Sequence, residues 1–148
     1  MKTISILIPA YNEQAVLPML FERLDKLAMA EKNYAFEFLF VDDGSKDDTL
    51  SIIKQYAHRD PRVSYINFSR NFGKETAMIA GLDHVKGDAT VIIDADLQDP
   101  PELIPEMITY WQKGYDDVYA KRRSRKGESW LKKKTSIAYY RTLQRVTH

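Results

Sequence analysis

The chain has 148 residues, with 22 Lys and Arg against 21 Asp and Glu and a formal charge of +1. At 44% hydrophobic and 29% charged residues, the composition is that of one globular domain and excludes a disordered or low-complexity chain. The absence of cysteine excludes a disulfide framework, a thiolate zinc site and a Cys nucleophile, and no run reaches the roughly 18–20 apolar residues that span a bilayer.

Met1–Ser5 lead into a strand, Thr3–Ile8, rather than into a signal peptide. A helix over Gln14–Met29 follows, with Val16, Leu17, Leu20, Leu24 and Leu27 on one stripe. Phe36–Val41 is the second strand. Asp48–His58 is the second helix, carried by Leu50, Ile53 and Ala57. The third strand, Val63–Phe68, precedes a helix over Lys74–Val85 with Ala77, Met78, Gly81 and Leu82 on its apolar side. Ala89–Ile93 is the fourth strand, and a helix begins at Pro101, a good first-turn residue, running to about Gln112. Asp116–Tyr119 reads as a fifth, short strand, and Ser129–Val146 as a basic helix with Trp130, Ile137, Tyr140 and Leu143 at helical spacing. The strands are β-branched or aromatic and continuously apolar, as strands covered on both faces are. Their alternation with helices predicts an α/β domain with a mostly parallel sheet and right-handed crossovers.

The neutral charge conceals two unlike parts. Residues 1–120 hold 12 basic and 20 acidic side chains, a balance of −8, whereas residues 121–148 hold 10 basic and one acidic, Glu128, a balance of +9. The composition shift at Lys121 divides the chain into a core, 1–120, and a basic segment, 121–148, suited to an anionic partner, an anionic surface or plain solvent.

In open α/β sheets ligands bind beyond the carboxyl ends of the strands, and the polar residues gather there. Pro9-Ala10-Tyr11-Asn12-Glu13 follows the first strand, Asp42-Asp43-Gly44-Ser45 the second, Ser69-Arg70-Asn71-Phe72-Gly73-Lys74 the third, and Asp94-Ala95-Asp96-Leu97-Gln98-Asp99-Pro100-Pro101 the fourth. Asp94 and Asp96, with an amide two residues on, offer hard oxygen ligands to Mg²⁺ or Mn²⁺, though Asp99-Pro100-Pro101 equally suits a plain turn and helix start. Asp42 sits where a carboxylate commonly meets a ribose or a base, while Ser45 or Asp47 suits a cap on the following helix. Glu13 is either a ligand-facing carboxylate or a first-turn charge favoured by the helix dipole. Arg70 to Gly73, ahead of a helix, can receive phosphate through backbone N–H groups and the guanidinium. Neither a Walker loop nor Gly-x-Gly-x-x-Gly is present, which disfavours a P-loop ATPase and a dinucleotide dehydrogenase.

Together these four loops resemble family 2 glycosyltransferases of the GT-A fold, a Rossmann-like three-layer α/β sandwich with a mostly parallel central sheet. Asp-Leu-Gln-Asp-Pro-Pro and the run Lys121-Arg122-Arg123-Ser124-Arg125 are similar to the polyprenyl-phosphate branch, the dolichol-phosphate mannosyltransferases and the undecaprenyl (bactoprenol) phosphate glucosyltransferases. The resemblance implies transfer of a hexose, with inversion, from a nucleoside diphosphate sugar of the UDP-glucose or GDP-mannose type to a polyprenyl phosphate at the cytoplasmic face of the inner membrane. It assigns Pro9, Tyr11, Glu13, Asp42 and Asp43 to the nucleotide, and Arg70, Gly73, Lys74 and Gln98 to the donor sugar and phosphate. Asp94, Asp96 and Gln98 fall to a Mg²⁺ or Mn²⁺ ion, with Asp94, Asp96 and Arg122 as the catalytic set. Arg122, Arg125, Lys132 and Ser136 fall to the acceptor phosphate, with an anionic membrane surface beside them. Lys132 stands where the family often has Arg, and Ala120 where it often has Gly. Relatives of this kind continue with further amphipathic and often transmembrane helices, so a truncated chain is expected. A homo-oligomer stays open.

Two other classes fit parts of the chain. A receiver-like signalling domain would use Asp94 as phosphoacceptor. A binding module for anionic membrane or nucleic acid would use residues 121–145, although their densest part lacks the interleaved aromatics that stack on bases, which argues against nucleic acid.

Overall fold

The computed structural model of the chain describes residues 1–120; the expected basic helix and the positions Arg122, Arg125, Lys132 and Ser136 lie outside the described residues. Two compact units divide the chain, Met1–Tyr115 and Asp116–His148, and the fold that follows is that of the first.

Its elements run β1 Lys2–Ala10, α1 Leu17–Ala30, β2 Tyr34–Asp42, α2 Thr49–Arg59, β3 Val63–Asn67, α3 Lys74–Leu82, β4 Ala89–Ile92 and α4 Ile104–Gln112. A single 3₁₀ turn, Pro101–Leu103, opens α4. The four strands form one parallel sheet in the order β3-β2-β1-β4. The two central strands are buried along almost their full length, which accounts for their unbroken apolar runs.

Register decides which face each side chain takes. Ile4, Ile6 and Ile8 pair with Phe36, Phe38 and Phe40 across β1 and β2, and all six belong to the larger core. That core is closed by Leu17, Leu20, Phe21, Leu24 and Leu27 of α1, by Ile53 of α2, and by Ile104 and Ile108 of α4. Leu7, Leu39 and Val41 turn to the opposite face and meet Ala77 of α3. Helices therefore cover both faces, and the expected three-layer α/β architecture is present. Each fully buried Ile, Leu or Phe contributes about 1.5–3 kcal/mol.

The strand order has a consequence for function. A receiver domain places β1 between β2 and β3. Here β1 lies between β2 and β4, and β3 pairs with β2, which removes the phosphoacceptor reading of Asp94. The order instead reverses between β1 and β4, and a crevice opens at such a switch point beyond the strands' carboxyl ends.

Several boundaries differ from expectation. Residues 14–16 form a turn rather than the first turn of α1, because the backbone N–H groups of Val16 and Leu17 both donate to the Glu13 carbonyl. Helix α3 stops at Leu82, where His84 and Val85 both donate to Gly81. No strand forms at Asp116–Tyr119: Asp116, Asp117 and Tyr119 are exposed, and the segment pairs with none of the four strands. Among the described residues no helix is long and apolar enough to cross a membrane.

Candidate functional site

The loops after β1 and β2 are tied together by side chains capturing each other's backbone. Asn12 N–H donates to Ser45 Oγ at 2.9 Å, and Lys46 N–H returns to Asn12 Oδ1 at 2.8 Å. Glu13 N–H donates to Thr49 Oγ1 at 2.8 Å, and Asp48 N–H to Gln14 Oε1 at 2.9 Å. Asn12 holds a left-handed backbone, φ 54°, which asparagine tolerates better than most residues. Ser45 is thus spent on the neighbouring loop and does not cap α2. Asp47 accepts from Thr49 N–H at 3.0 Å. Burial pushes the Asp47 carboxyl up, but its hydrogen bonds with Thr49 and Gln14 outweigh that and hold it below its ordinary value.

The loops after β2 and β3 are joined by Asp43. Its buried carboxylate accepts the backbone N–H of Phe72 at 2.7 Å and of Gly73 at 3.0 Å. Those N–H groups were expected to meet a donor phosphate, but they already have an internal carboxylate. Gly73 instead lets the chain turn into α3 with φ 98°. Gly44, at φ 67°, permits the contact: a Cβ there would lie 2.3 Å from the Arg70 carbonyl carbon. Arg70 is exposed and stacks over the Phe72 ring at 4.4 Å from its centroid.

At the carboxyl ends of β1 and β4 these loops form an open cavity of about 200 Å³. Pro9 and Ala10 line it from the end of β1, Tyr11 and Glu13 from the loop after β1, Asp43 from the loop after β2, Lys74 from the start of α3, and Asp94, Ala95 and Asp96 from the loop after β4. The Lys74 ammonium pairs with Asp94 Oδ1. Asp96 Oδ1 accepts Gln98 N–H at 2.9 Å across Leu97, whose φ of 62° is a strained value for an L side chain. Burial raises the Glu13 carboxyl above its ordinary value, and the negative charges of Asp96, Asp47 and Asp94 raise it further. The cavity therefore carries surplus negative charge.

Of the residues singled out in sequence, seven meet in this cavity: Pro9, Tyr11, Glu13, Asp43, Lys74, Asp94 and Asp96. Asp42 does not line it. Its carboxylate is buried, Oδ2 accepts from Ser45 N–H at 3.3 Å, and Oδ1 has no hydrogen-bond partner. A buried acceptor without a partner is costly, so a donor group that reaches Asp42 Oδ1 would be favoured there. Arg70, Gly73 and Gln98 lie outside the cavity lining, Arg70 and Gln98 both exposed. Asn12, Ser45 and Thr49 hold the rim together; Asn12 and Ser45 stand in the strand-end loops, but nothing in the sequence marks their contacts across those loops.

Asp94 and Asp96 are suited to a hard divalent cation. Among the described residues no cluster of three or more His, Cys, Asp or Glu could hold a metal alone. Magnesium-type ions need no such cage, because one or two carboxylates suffice when a substrate's phosphates and water complete the shell.

A parallel sheet with an acidic crevice at its switch point is the arrangement in which open α/β folds bind their ligands. Residues 5–148 match glycosyl transferase family 2, and the chain belongs to that family. It is 50% identical over 143 residues to the uncharacterized glycosyltransferase YkcC of Bacillus subtilis, covering 97% of this chain and 44% of that protein. It is 44% identical over 145 residues to a prophage bactoprenol glucosyl transferase homolog of Escherichia coli, covering 98% and 47%. Among solved structures, the mannosyltransferase PcManGT of Pyrobaculum calidifontis, in complex with GDP-Man and Mn²⁺, is similar with a TM-score of 0.50 and 28% identity, over 66% of this chain and 32% of that one. The chain spans a little under half the length of the curated relatives it matches.

Proposed function

We propose that residues 1–120 form the donor half of a glycosyltransferase that moves a hexose from a nucleoside diphosphate sugar to a polyprenyl phosphate, with inversion. The observation that carries the reading is the convergence of Glu13, Asp94 and Asp96 at the β1–β4 switch point, with Lys74 as the single lysine or arginine among the described residues lining the cavity. The bactoprenol glucosyl transferase relative supports the acceptor class, and the Mn²⁺ and GDP-Man complex of PcManGT supports the donor class.

In this reading Pro9 and Tyr11 flank the base, and the spare Oδ1 of Asp42 accepts a nucleoside N–H or hydroxyl once the neighbouring loops adjust. Asp94 and Asp96, the latter oriented by the Gln98 backbone, hold Mg²⁺ or Mn²⁺. When bound, such an ion offsets the charge that builds on the leaving diphosphate. Lys74 and the exposed Arg70 supply further positive charge on the same rim. The acceptor phosphate is already ionised near neutral pH, so no carboxylate of the cavity is required as a strong base. Residues 121–148, with Arg122, Arg125, Lys132 and Ser136, are assigned to that acceptor phosphate and to the anionic cytoplasmic membrane face. Each basic residue near such a surface contributes on the order of 1 kcal/mol.

Incubation with radiolabelled UDP-glucose or GDP-mannose, Mn²⁺ and polyprenyl phosphate in anionic vesicles tests the proposal. The expected product is a solvent-extractable lipid-linked sugar formed together with the nucleoside diphosphate. Donor binding accompanied only by free hexose, or by no product, would refute the acceptor assignment.

A further inference from the structure

Lys74 stands apart from the rest of the cavity. It is the one lysine or arginine among the described lining residues, against the carboxylates of Glu13, Asp43, Asp94 and Asp96. Asp43 is already compensated by the Phe72 and Gly73 N–H groups. The Lys74 ammonium is directed onto Asp94 Oδ1, although its side chain remains 51% exposed and Asp94 only 31%.

We propose that Lys74 is a resident counter-ion that holds Asp94 until a divalent cation takes that carboxylate, and that the displaced ammonium then moves onto the donor diphosphate. The inference rests on the metal-site reading above and adds an order of events to it.

Three features favour exchange over a permanent pair. A lysine is a point charge on a flexible four-carbon stem and lacks the bidentate fork with which an arginine would grip the carboxylate. Half-exposed ion pairs are weak, so a doubly charged ion displaces the ammonium at small cost. The backbone beneath Lys74 is fixed, because Asp43 pins Phe72 and Gly73, so the side chain can swing while its anchor stays beside the cavity.

Two readouts independent of turnover test the exchange. Calorimetric titration with Mn²⁺, without nucleotide, should find Lys74→Gln binding about fivefold more tightly than wild type, the factor that a half-exposed ion pair represents. In saturating Mn²⁺ the same variant should bind UDP or GDP more weakly. With isotopically methylated lysines, Mg²⁺ alone should move the Lys74 resonance, and Asp94→Asn should place it there without metal. Equal or weaker Mn²⁺ binding by Lys74→Gln, or a Lys74 resonance that ignores bound Mg²⁺, would overturn the exchange while leaving the metal site standing. Cation binding that requires nucleotide in wild type and variant alike would overturn the exchange, and its absence with nucleotide as well would overturn the metal site too.

Discussion

Replacing Gly44 by alanine tests how closely the rim of the site is built. Gly44 has φ 67°, a left-handed value that costs an L residue about 1–2 kcal/mol. The new methyl carbon would also lie 2.3 Å from the Arg70 carbonyl carbon, 2.6 Å from Arg70 Cα and 2.7 Å from Asn71 N. All three are backbone atoms, so no rotamer change can relieve the overlap, and overpacking of this kind costs about 1–3 kcal/mol more. The expected loss is therefore about 2–5 kcal/mol, a large part of the roughly 5–15 kcal/mol that holds such a domain folded. Gly114 supplies the control: its φ is 92°, but a Cβ there has nothing within 4 Å. Urea unfolding of Gly44→Ala and Gly114→Ala separates strain from contact, because both bear the first cost and Gly44 alone bears the second. Equal shifts in midpoint for the two variants would refute the close approach of the second and third loops.

Three further outcomes follow from the same geometry. Asp43→Ala leaves the Phe72 and Gly73 N–H groups without their acceptor and should cost about 3 kcal/mol in urea unfolding, with weaker nucleotide binding by calorimetry. Glu13 has a folded pKa raised above its ordinary 4.5, so its favourable contribution is complete below that value and is lost as pH rises through the raised one. Glu13→Gln should therefore flatten the stability profile just above pH 4.5 and be the more stable protein at neutral pH, read by denaturation across that range. Asp42→Asn should leave the fold intact, because the Asp42 carboxylate accepts one long hydrogen bond, yet weaken nucleoside diphosphate binding.

Continuous apolar runs make the strands of this chain legible, and the polar residues after Ile8, Val41, Phe68 and Ile93 mark the rim in the sequence itself. Burial dictates such patterns, and burial is what the two cores contain. Contacts between loops were not legible, because tertiary approach sets them rather than period. Asn12 and Ser45 are 33 residues apart, and neither side chain announces the other. The same blindness hid Asp43 as the acceptor for Phe72 and Gly73, and Lys74 as the partner of Asp94. Asp116–Tyr119 differs in the opposite sense: its composition suits a strand, but Asp116, Asp117 and Tyr119 stay exposed and the segment joins no ladder of the described sheet.

Calorimetry of UDP, GDP, UDP-glucose and GDP-mannose against wild type and Asp96→Asn, with and without Mn²⁺, most directly tests whether the crevice between β1 and β4 is a metal-assisted donor site. One nucleotide series should bind wild type with an affinity that rises on adding Mn²⁺, and Asp96→Asn should lose that rise while keeping its unfolding midpoint. Failure of all four to bind, or a Mn²⁺ effect that survives in Asp96→Asn, would contradict the assignment.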